Sequence, residues 1–418
     1  MKETKFKDTE IGKIPEEWEV RTINSFCSVK TGPFGSMLHA EDYVAKGTPI
    51  VTTEHFKNGI LPLVGKDIPQ IGIEDLKRMS SYTLTKDDIV FSRVGSVDIN
   101  ALVTVRQKGW LFSGRVLRVR PFKQTDSLYL HYGLLKHSVR SDIVSRAVGL
   151  TMASINTKIL GETELSLPPL NEQRRIASAL TSIDNLISSL GKLIEKKKNI
   201  KQGAMQQLLT GQIRLKGFSE PWVKRKLGDN ATIQRGGSPR PIEAYLTTNR
   251  DGINWIKIGD VRPNDKFIRH TAEKIIPEGI SHSRQVYKGD FILSNSMSFG
   301  RPYILDIDGC IHDGWLVIKD YSNTYDMDFL YYILSSNAIF EQYIAMAAGS
   351  SVKNLNKEKV ANVILFAPQS LAEQRAIATI LTKMDNEITA LEAKRAKYEA
   401  IKQGMMQQLL TGKIRLIS

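Results

Sequence analysis

The sequence predicts a mixed α+β chain in which two globular α/β domains alternate with two long helices that pack on each other as a coiled coil. Three observations support this fold class. The 418 residues suffice for two to four domains, at roughly 100–200 residues per domain. A 44-residue segment occurs twice, and both copies carry apolar residues at heptad spacing. We therefore predict globular domains over residues 1–166 and 213–365, and helical regions over 167–212 and 366–418.

The composition is that of a globular, strongly basic protein. Hydrophobic residues make up 41% of the chain, and 58 Lys and Arg exceed 44 Asp and Glu to give a net charge of +14. Such an excess favours a polyanionic partner, usually nucleic acid. A lysine-rich surface without such a partner explains the charge alone equally well.

Several classes of protein are disfavoured by the sequence. The two cysteines, Cys27 and Cys310, form no C-x-x-C pair, which argues against a disulfide framework and a zinc ribbon. The histidines show no metal-binding spacing, so we expect no metal site. The charged N-terminus does not resemble a signal peptide, and no window approaches the ~20 apolar residues of a membrane span. We therefore expect a cytoplasmic protein.

The repeat is close in one block and loose in the other. Residues 172–215 align without a gap on residues 373–416, and 26 of the 44 positions are identical. Upstream of each copy the likeness is weaker but still ordered along the chain, as between Trp18 and Trp222. This pattern indicates duplication of one unit, a divergent domain followed by a repeated helix.

The divergent blocks mix strand and helix signals. The stretches "DIVFSRV" and "DFILS" are typical of buried strands, and the stretches that begin "DSLYLHYGLL" and "DMDFLYYILS" are typical of amphipathic helices. Polar, glycine-bearing loops separate them, so each block is predicted to be an α/β domain.

The repeated blocks are predicted to be long helices. Pro168 and Pro368 stand just upstream, Glu172 and Glu373 fall in the first turn, and a glycine follows the last turn. A helix with an apolar stripe needs a partner, and the other copy supplies one about a pseudo-twofold axis. If that axis crosses the coil the helices are antiparallel, and if it runs along the coil they are parallel. The predicted seam residues are Ile176, Leu180, Ile183, Ile187, Leu190, Ile194, Ile377, Leu381, Met384, Ile388 and Leu391.

Catalytic motifs are missing from the sequence. It contains no G-x-x-x-x-G-K-[ST] and no G-x-G-x-x-G after a strand. The pair Pro168-Pro169 lacks the polar and aromatic neighbours of an amino-methyltransferase motif, and a joint between a strand and a helix explains it better. Asp88 and Asp290 recur, but each precedes a strand, where an aspartate usually forms a turn. We expect no catalytic residues in this chain.

The loops, in contrast, carry residues that can contact phosphates and base edges. Arg, Lys, Asn, Gln and Ser on glycine-bearing loops serve this purpose, although most such residues on any one protein are simply solvated. The candidates for DNA binding are Lys30, Thr31, Ser36, Arg93, Ser96, Thr151, Gln234, Arg235, Ser238, Arg240, Asn295, Arg301, Ser351 and Lys353.

Taken together, these features resemble the specificity subunit of type I restriction–modification enzymes. The resemblance covers essentially the whole chain. It rests on two variable domains, each followed by a helix that begins with Glu-Gln-Arg soon after a proline. It also rests on the motifs "IGKIPEEWEV" near the N-terminus, "GDFILSN", and "MQQLLTG" followed by "IRL" at the end of both repeats.

The resemblance implies a function for each part. The variable domains would be target recognition domains that each read one half of a split DNA target, and the helices would form an antiparallel coiled coil that sets the gap. The coil would also bind two modification subunits, adenine-N6 methyltransferases that hold S-adenosylmethionine, and restriction subunits would join that core. The chain itself would have no active site and no cofactor. The alternative is a duplicated coiled-coil scaffold that does not bind DNA sequence-specifically.

Overall fold

The computed structural model of the chain describes residues 4–33, 37–65, 67–149, 151–262, 265–295, 300–347 and 355–417. Its residues form two compact units, Met1–Gly191 with Lys394–Ser418, and Lys192–Ala393. The described residues nearest both ends of the chain therefore belong to one unit. Each of the two long helices contributes residues to both units.

The first unit contains twelve strands and the helices of the first divergent block among its described residues. The strands are β1 (Phe6–Lys7), β2 (Ile14–Pro15), β3 (Glu19–Thr22), β4 (Cys27–Thr31), β5 (Tyr43–Val44), β6 (Thr48–Val51), β7 (Gln70–Ile71), β8 (Ile89–Ser92), β9 (Asn100–Leu102), β10 (Leu111–Phe112), β11 (Val116–Pro121) and β12 (Glu164–Leu167). The helices are α1 (Ile23–Phe26), α2 (Ile73–Arg78), α3 (Ser127–Leu134), α4 (His137–Ser145), α5 (Thr157–Gly161) and the first part of α6 (Leu170–Leu208).

The central sheet of this unit has the order β4-β11-β8-β9, and a second sheet has the order β10-β6-β7-β5. All four residues of β8 are buried, because the central sheet is covered on both faces. Ile89 and Phe91 face a core shared with the helices, whereas Val90 faces a smaller core on the other side. Burial on both faces explains why the first three residues of this strand form an apolar run.

The second unit repeats this plan. Its strands are β13 (Val223–Lys226), β14 (Thr232–Arg235), β15 (Leu246–Thr247), β16 (Ile253–Ile256), β17 (Phe267–Ile268), β18 (Glu273–Ile275), β19 (Arg284–Val286), β20 (Phe291–Ser294), β21 (Pro302–Leu305), β22 (Gly309–Ile311), β23 (Trp315–Lys319) and β24 (Ile364–Ala367). Its helices are α7 (Met327–Leu334), α8 (Asn337–Ala347), α9 (Lys357–Ala361) and the first part of α10 (Leu371–Leu409). The central sheet has the order β14-β23-β20-β21-β17, and β20 is again buried on both faces.

Each predicted amphipathic stretch forms two helices. In the first unit α3 ends before α4 begins at His137, and in the second unit α7 ends before α8 begins at Asn337. Asp126 and Asp326 cap α3 and α7, since their carboxylates accept hydrogen bonds from the first-turn amides.

The long helices pack antiparallel within each unit. In the first unit Asp184 contacts Lys402, while Ile176, nearer the start of α6, shares a core with Leu409, nearer the end of α10. In the second unit Asp385 contacts Lys201, and Ile377 shares a core with residues at the end of α6. The predicted antiparallel packing is thereby confirmed, and the parallel alternative is wrong.

The seam residues lie on the inner faces of these helices. Those that are less than 9% exposed are Ile176, Leu180, Ile183, Leu190, Ile194, Ile377, Leu381 and Ile388, and those that are half-buried are Ile187, Met384 and Leu391. Three of the four lysines in segment 195–201 of α6 form ion pairs with α10. Lys197, Lys198 and Lys201 contact Glu387, Glu392 and Asp385, respectively.

The repeated glycines of the helices do not mark a close approach of two backbones. A Cβ atom added at Gly203 or Gly404 would meet nothing within 4 Å. A larger side chain at either position would therefore not press against a neighbouring backbone. Among the described helices, none is long and apolar enough to cross a membrane.

Candidate nucleic-acid interface and the joints that carry it

The candidate loops of the first unit open at one end of its central sheet. Thr31, the last residue of β4, pairs with Leu117, and Ser92, the last residue of β8, pairs with Val116 near the start of β11. The segments after β4 and β8 and the turn before β11 therefore leave the sheet side by side. Four candidates lie in or next to these segments: Lys30, Thr31, Arg93 and Ser96.

The second unit has the same arrangement. Arg235, the last residue of β14, pairs with Leu316, and Ser294, the last residue of β20, pairs with Trp315. The candidates at this end of the sheet are Gln234, Arg235, Ser238, Arg240, Asn295 and Arg301. Three further candidates, Ser36, Ser351 and Lys353, lie outside the described residues.

Arg93 and Asn295 occupy equivalent positions and make equivalent contacts. Nη1 of Arg93 donates to the carbonyl of Gly114 at 2.9 Å, and Nδ2 of Asn295 donates to the carbonyl of Asp313 at 2.9 Å. The backbone carbonyl of Arg93 also accepts a hydrogen bond from the amide of Ile155, just before α5. The carbonyl of Asn295 accepts the equivalent bond from the amide of Leu355, just before α9. These donors hold the loops together, which supports a positioning role for both side chains.

In the second unit four candidates converge on Asp313. Ser238 donates to its carboxylate at 2.9 Å, Arg235 donates to its carbonyl at 3.2 Å, and Arg240 lies 3.7 Å from its carboxylate. Burial alone would raise the pKa of Asp313, but the Ser238 hydroxyl and His312 lower it below its ordinary value. The carboxylate is thus an ionised centre about which this loop cluster is organised.

Lys30 and Thr151 differ in how they are held. Nζ of Lys30 donates to the carbonyl and hydroxyl oxygens of Ser81 at 3.1 and 3.0 Å, and it lies 4.2 Å from the ring centroid of Tyr82. Thr151 is exposed, on a segment that joins the loop after β8 through the bridge between Val94 and Ser154.

Asp88 and Asp290 form turns, as their positions indicated. Each carboxylate accepts a hydrogen bond from the amide three residues upstream, from Thr85 at 2.7 Å and from Tyr287 at 2.9 Å. Each also contacts a cation on the neighbouring strand, Arg120 or Lys319. Among the described residues, no group of three or more His, Cys, Asp and Glu could hold a metal ion.

Sequence reasoning missed the residues that attach each domain to the helices. Glu172, at the start of α6, accepts hydrogen bonds from Arg415 at 2.7 and 2.8 Å and from the indole of Trp18 at 3.1 Å. In the second unit Glu373 accepts from Arg214 at 2.7 and 3.0 Å and from the indole of Trp222 at 3.2 Å. We call each of these groups an acid joint.

The glutamine that follows each acid completes the attachment. The side-chain oxygen of Gln173 accepts from the amide of Asp126 at 2.9 Å, and its Nε2 donates to the carbonyl of Pro168 at 2.9 Å. Gln374 makes the same two contacts, with Asp326 and Pro368. The Glu-Gln pair of the repeat therefore fixes the start of a long helix to the domain before it.

A second attachment in each unit joins a tyrosine of the domain, an aspartate of one long helix and a lysine of the other. The hydroxyl of Tyr132 donates to Asp184 at 2.8 Å, and Lys402 contacts the same carboxylate at 2.6 Å. The equivalent residues of the second unit are Tyr332, Asp385 and Lys201. Part of the signal was present in the repeat, since the glutamate, glutamine, arginine, aspartate and lysine of these attachments all lie in the 44-residue block.

Comparison with known proteins identifies the family of this arrangement. A family model described as the type I restriction modification DNA specificity domain matches residues 15–202 and 219–403. Two proteins of Methanocaldococcus jannaschii, named as the MjaX and MjaVIII specificity subunits of type I restriction enzymes, are similar along nearly their whole length. They are 29% and 28% identical over 440 and 441 residues, covering 99% of this chain and 98% and 97% of theirs.

Solved structures share the fold. The type I restriction-modification S subunit from M. genitalium aligns over 94% of this chain and 96% of its own, with a TM-score of 0.58 and 17% identity. A structure from work on complex assembly and conformational transition of the type I R-M system aligns over 96% of this chain and 99% of its own, with a TM-score of 0.61 and 16% identity.

These matches confirm the resemblance drawn from the sequence and do not favour a scaffold without sequence-specific DNA binding. The family model covers most of the chain in two successive stretches, one for each repeat. The chain therefore belongs to the type I restriction modification DNA specificity family and carries two target recognition domains.

Proposed function

We propose that each target recognition domain reads one half of a bipartite DNA target and that the paired helices set the distance between the halves. One observation carries this proposal: the loops of the two units differ, whereas their attachments to the helices are the same. Arg93 and Gly114 stand where Asn295 and Asp313 stand, yet both units have an acid joint of identical composition. Two different DNA sequences would thus be read by two domains that are attached to the helices in the same way.

The helices are long enough for this role. Each has 39 residues, which corresponds to about 58 Å at 1.5 Å per residue, compared with about 34 Å for one turn of DNA. The spacing would follow from the helix length rather than from the loops.

The partners of this chain would supply the chemistry. We expect two modification subunits, adenine-N6 methyltransferases that hold S-adenosylmethionine, to bind the helices, and restriction subunits to join them. This chain would then be a non-catalytic subunit without a cofactor of its own, located in the cytoplasm with its DNA. The net charge of +14 supports binding to a polyanion.

Methylation mapping tests the proposal. The chain is co-expressed with the modification subunit of its own system in a host that lacks other adenine methylation, and N6-methyladenine is mapped by long-read sequencing. We expect one bipartite motif that is absent when either subunit is omitted. Methylation without sequence preference would contradict the proposal.

Two variants separate the roles of domain and helix. Replacing residues 20–160 by the equivalent part of another specificity subunit should change one half of the motif only. Inserting seven residues into both long helices should change the gap and leave both halves intact. A domain exchange that altered both halves would contradict the assignment of one half to one domain.

A gel shift with the purified chain separates the proposal from a scaffold. A DNA-reading subunit binds duplex DNA at low salt with an affinity that falls as salt rises. A scaffold would bind no DNA under any of these conditions.

A further inference from the structure

The central sheet of the first unit carries a cluster of three cations, Lys30, Arg118 and Arg120. Lys30 on β4 pairs directly with Arg118 on β11, and Arg120 follows two residues later on the same face of that strand. Lys30 and Arg118 contact the same oxygen, the carbonyl of Ser81, at 3.1 and 3.4 Å. Arg118 and Arg120 both lie 3.3 Å from the carbonyl of Thr83.

The three cations of the cluster are not all neutralised by carboxylates. Among the described residues, only Arg120 of the three forms an ion pair, with Asp88 at 2.6 Å. Arg118 is 6% exposed, and its Nε is a buried donor without a hydrogen-bond partner. A buried guanidinium that lacks a carboxylate and one hydrogen bond is unfavourable for folding. Burial, together with the charges of Arg118 and Arg120, also lowers the pKa of Lys30.

The fold does not require this cluster, because the second unit lacks it. Asp290 and Lys319 are the equivalents there of Asp88 and Arg120. Two residues before Lys319 stands Val317, fully buried at the position of Arg118, and its partner on β14 is Gln234 instead of lysine. The same strands therefore form with an apolar residue and a neutral amide in place of two cations.

Part of the cluster can be reached from solvent. The side chain of Arg120 is 37% exposed, Lys30 is half-buried, and Ser81 is exposed. The Ser81 hydroxyl oxygen accepts from Lys30, so its own O–H can donate to a further acceptor. Lys30 also lies one residue before the end of β4, next to the first candidate loop.

We propose that Lys30, Arg118 and Arg120 form a phosphate-binding site of the first unit that contacts the DNA backbone and that the second unit lacks. The proposal rests on the proposed function, DNA binding by this chain. Lys30, Arg120 and the Ser81 hydroxyl contact the phosphate, and Arg118, buried against the carbonyls of Ser81 and Thr83 on the same face, contributes positive charge. The two recognition domains would then hold the DNA backbone with different numbers of phosphate contacts.

Two substitutions give the first unit the residues of the second, Lys30→Gln and Arg118→Val. The matched control is Lys158→Gln, which removes an equal charge from a side chain that is 80% exposed on α5. The first measurement is the affinity of the full chain for a 40-base-pair duplex of mixed sequence between 50 and 200 mM salt. The second is the thermal unfolding midpoint in 10 mM sodium phosphate, compared with sodium chloride of equal ionic strength.

We expect Lys30→Gln to make the slope of log affinity against log salt shallower by about 0.9, the contribution of one phosphate. The loss of affinity over this salt range would then be about three- to fourfold smaller than in the parent chain. Arg118→Val should weaken DNA binding severalfold and yet raise the unfolding midpoint, a combination that a purely structural arginine would not produce. Phosphate should raise the midpoint of the parent chain and of Lys158→Gln, but not that of either cluster variant.

The proposal is overturned if Lys30→Gln changes the slope no more than Lys158→Gln, or if Arg118→Val lowers the midpoint. Stabilisation by phosphate with an unchanged slope would indicate a site for a free anion and would also overturn it. If the parent chain binds no duplex at any salt concentration, the proposed function fails. The phosphate measurement on the three variants then still decides whether an anion site exists.

Discussion

The acid joint of the first unit provides the sharpest test of how a recognition domain is fixed to the helices. Glu172 is 3% exposed and accepts hydrogen bonds from Arg415, whose side chain is 6% exposed, and from the indole of Trp18. Breaking a buried ion pair by removing one partner costs about 3–5 kcal/mol, because the remaining charge is left uncompensated. Arg415 would keep one contact, with Glu17 at 2.8 Å, so we expect Glu172→Gln to cost about 3 kcal/mol.

Two other carboxylates provide matched controls. Glu17 contacts the same guanidinium but is 66% exposed, so Glu17→Gln should cost less than about 1 kcal/mol. Glu373 pairs with Arg214, whose side chain is 28% exposed, and water can compensate that arginine in part. The cost of Glu373→Gln should therefore lie between those of the other two variants.

Urea unfolding followed by tryptophan fluorescence and circular dichroism measures these differences. For a unit of about 200 residues, 3 kcal/mol corresponds to a fall of roughly 6–12 °C in the thermal midpoint. If Glu172→Gln costs no more than Glu17→Gln, the buried pair does not hold the domain on the helix, and the reasoning is refuted.

Four further substitutions test individual sites. Gly203→Ala should raise the free energy of unfolding by about 1 kcal/mol in a chemical denaturation, since a Cβ there meets nothing, whereas Gly211→Ala should lower it because its φ is +70°. Burial and the charge of Lys402 lower the pKa of His131 to about 4. Below pH 6.5 the unfolded state therefore binds more protons, stability should fall by up to about 3 kcal/mol between pH 6.5 and 4, and His131→Tyr should abolish that fall. Asp313→Gly should alter methylation at one half of the motif and leave the other half unchanged, and a change in both halves would contradict the loop assignment.

The repeated block made the long helices predictable. Heptad spacing, an acid in the first turn and a closing glycine fix the type and the approximate length of a helix, and two copies supply its partner. The buried strands were predictable for a similar reason, since β8 and β20 each begin with three consecutive apolar residues. The break between α3 and α4 was not predictable, because the apolar pattern continues across it.

The roles of the loop side chains could not be read from the sequence. A pattern shows that an arginine or asparagine follows a strand, but not which carbonyl its donor meets. Arg93 and Asn295 were candidates for base contacts, and the structure engages both with the turn before the last central strand. These partners are 21 and 18 positions apart, beyond the reach of local sequence reasoning, and Glu172 and Arg415 are 243 positions apart.

The segment "LPPLNEQRR" contains both a boundary that the sequence predicts and side-chain contacts that it does not. Its prolines end β12 and admit α6, as the sequence indicated, and the carbonyl of Pro168 accepts a hydrogen bond from Gln173. The attachment thus uses groups of the strand, of the helix start and of the segment after the other helix, and none from the loops at the far end of the sheet. A loop can change without moving its domain on the helix, provided that Trp18, Glu172 and Arg415 are kept. That separation explains why 26 of 44 positions stay identical between two blocks whose preceding domains have diverged so far.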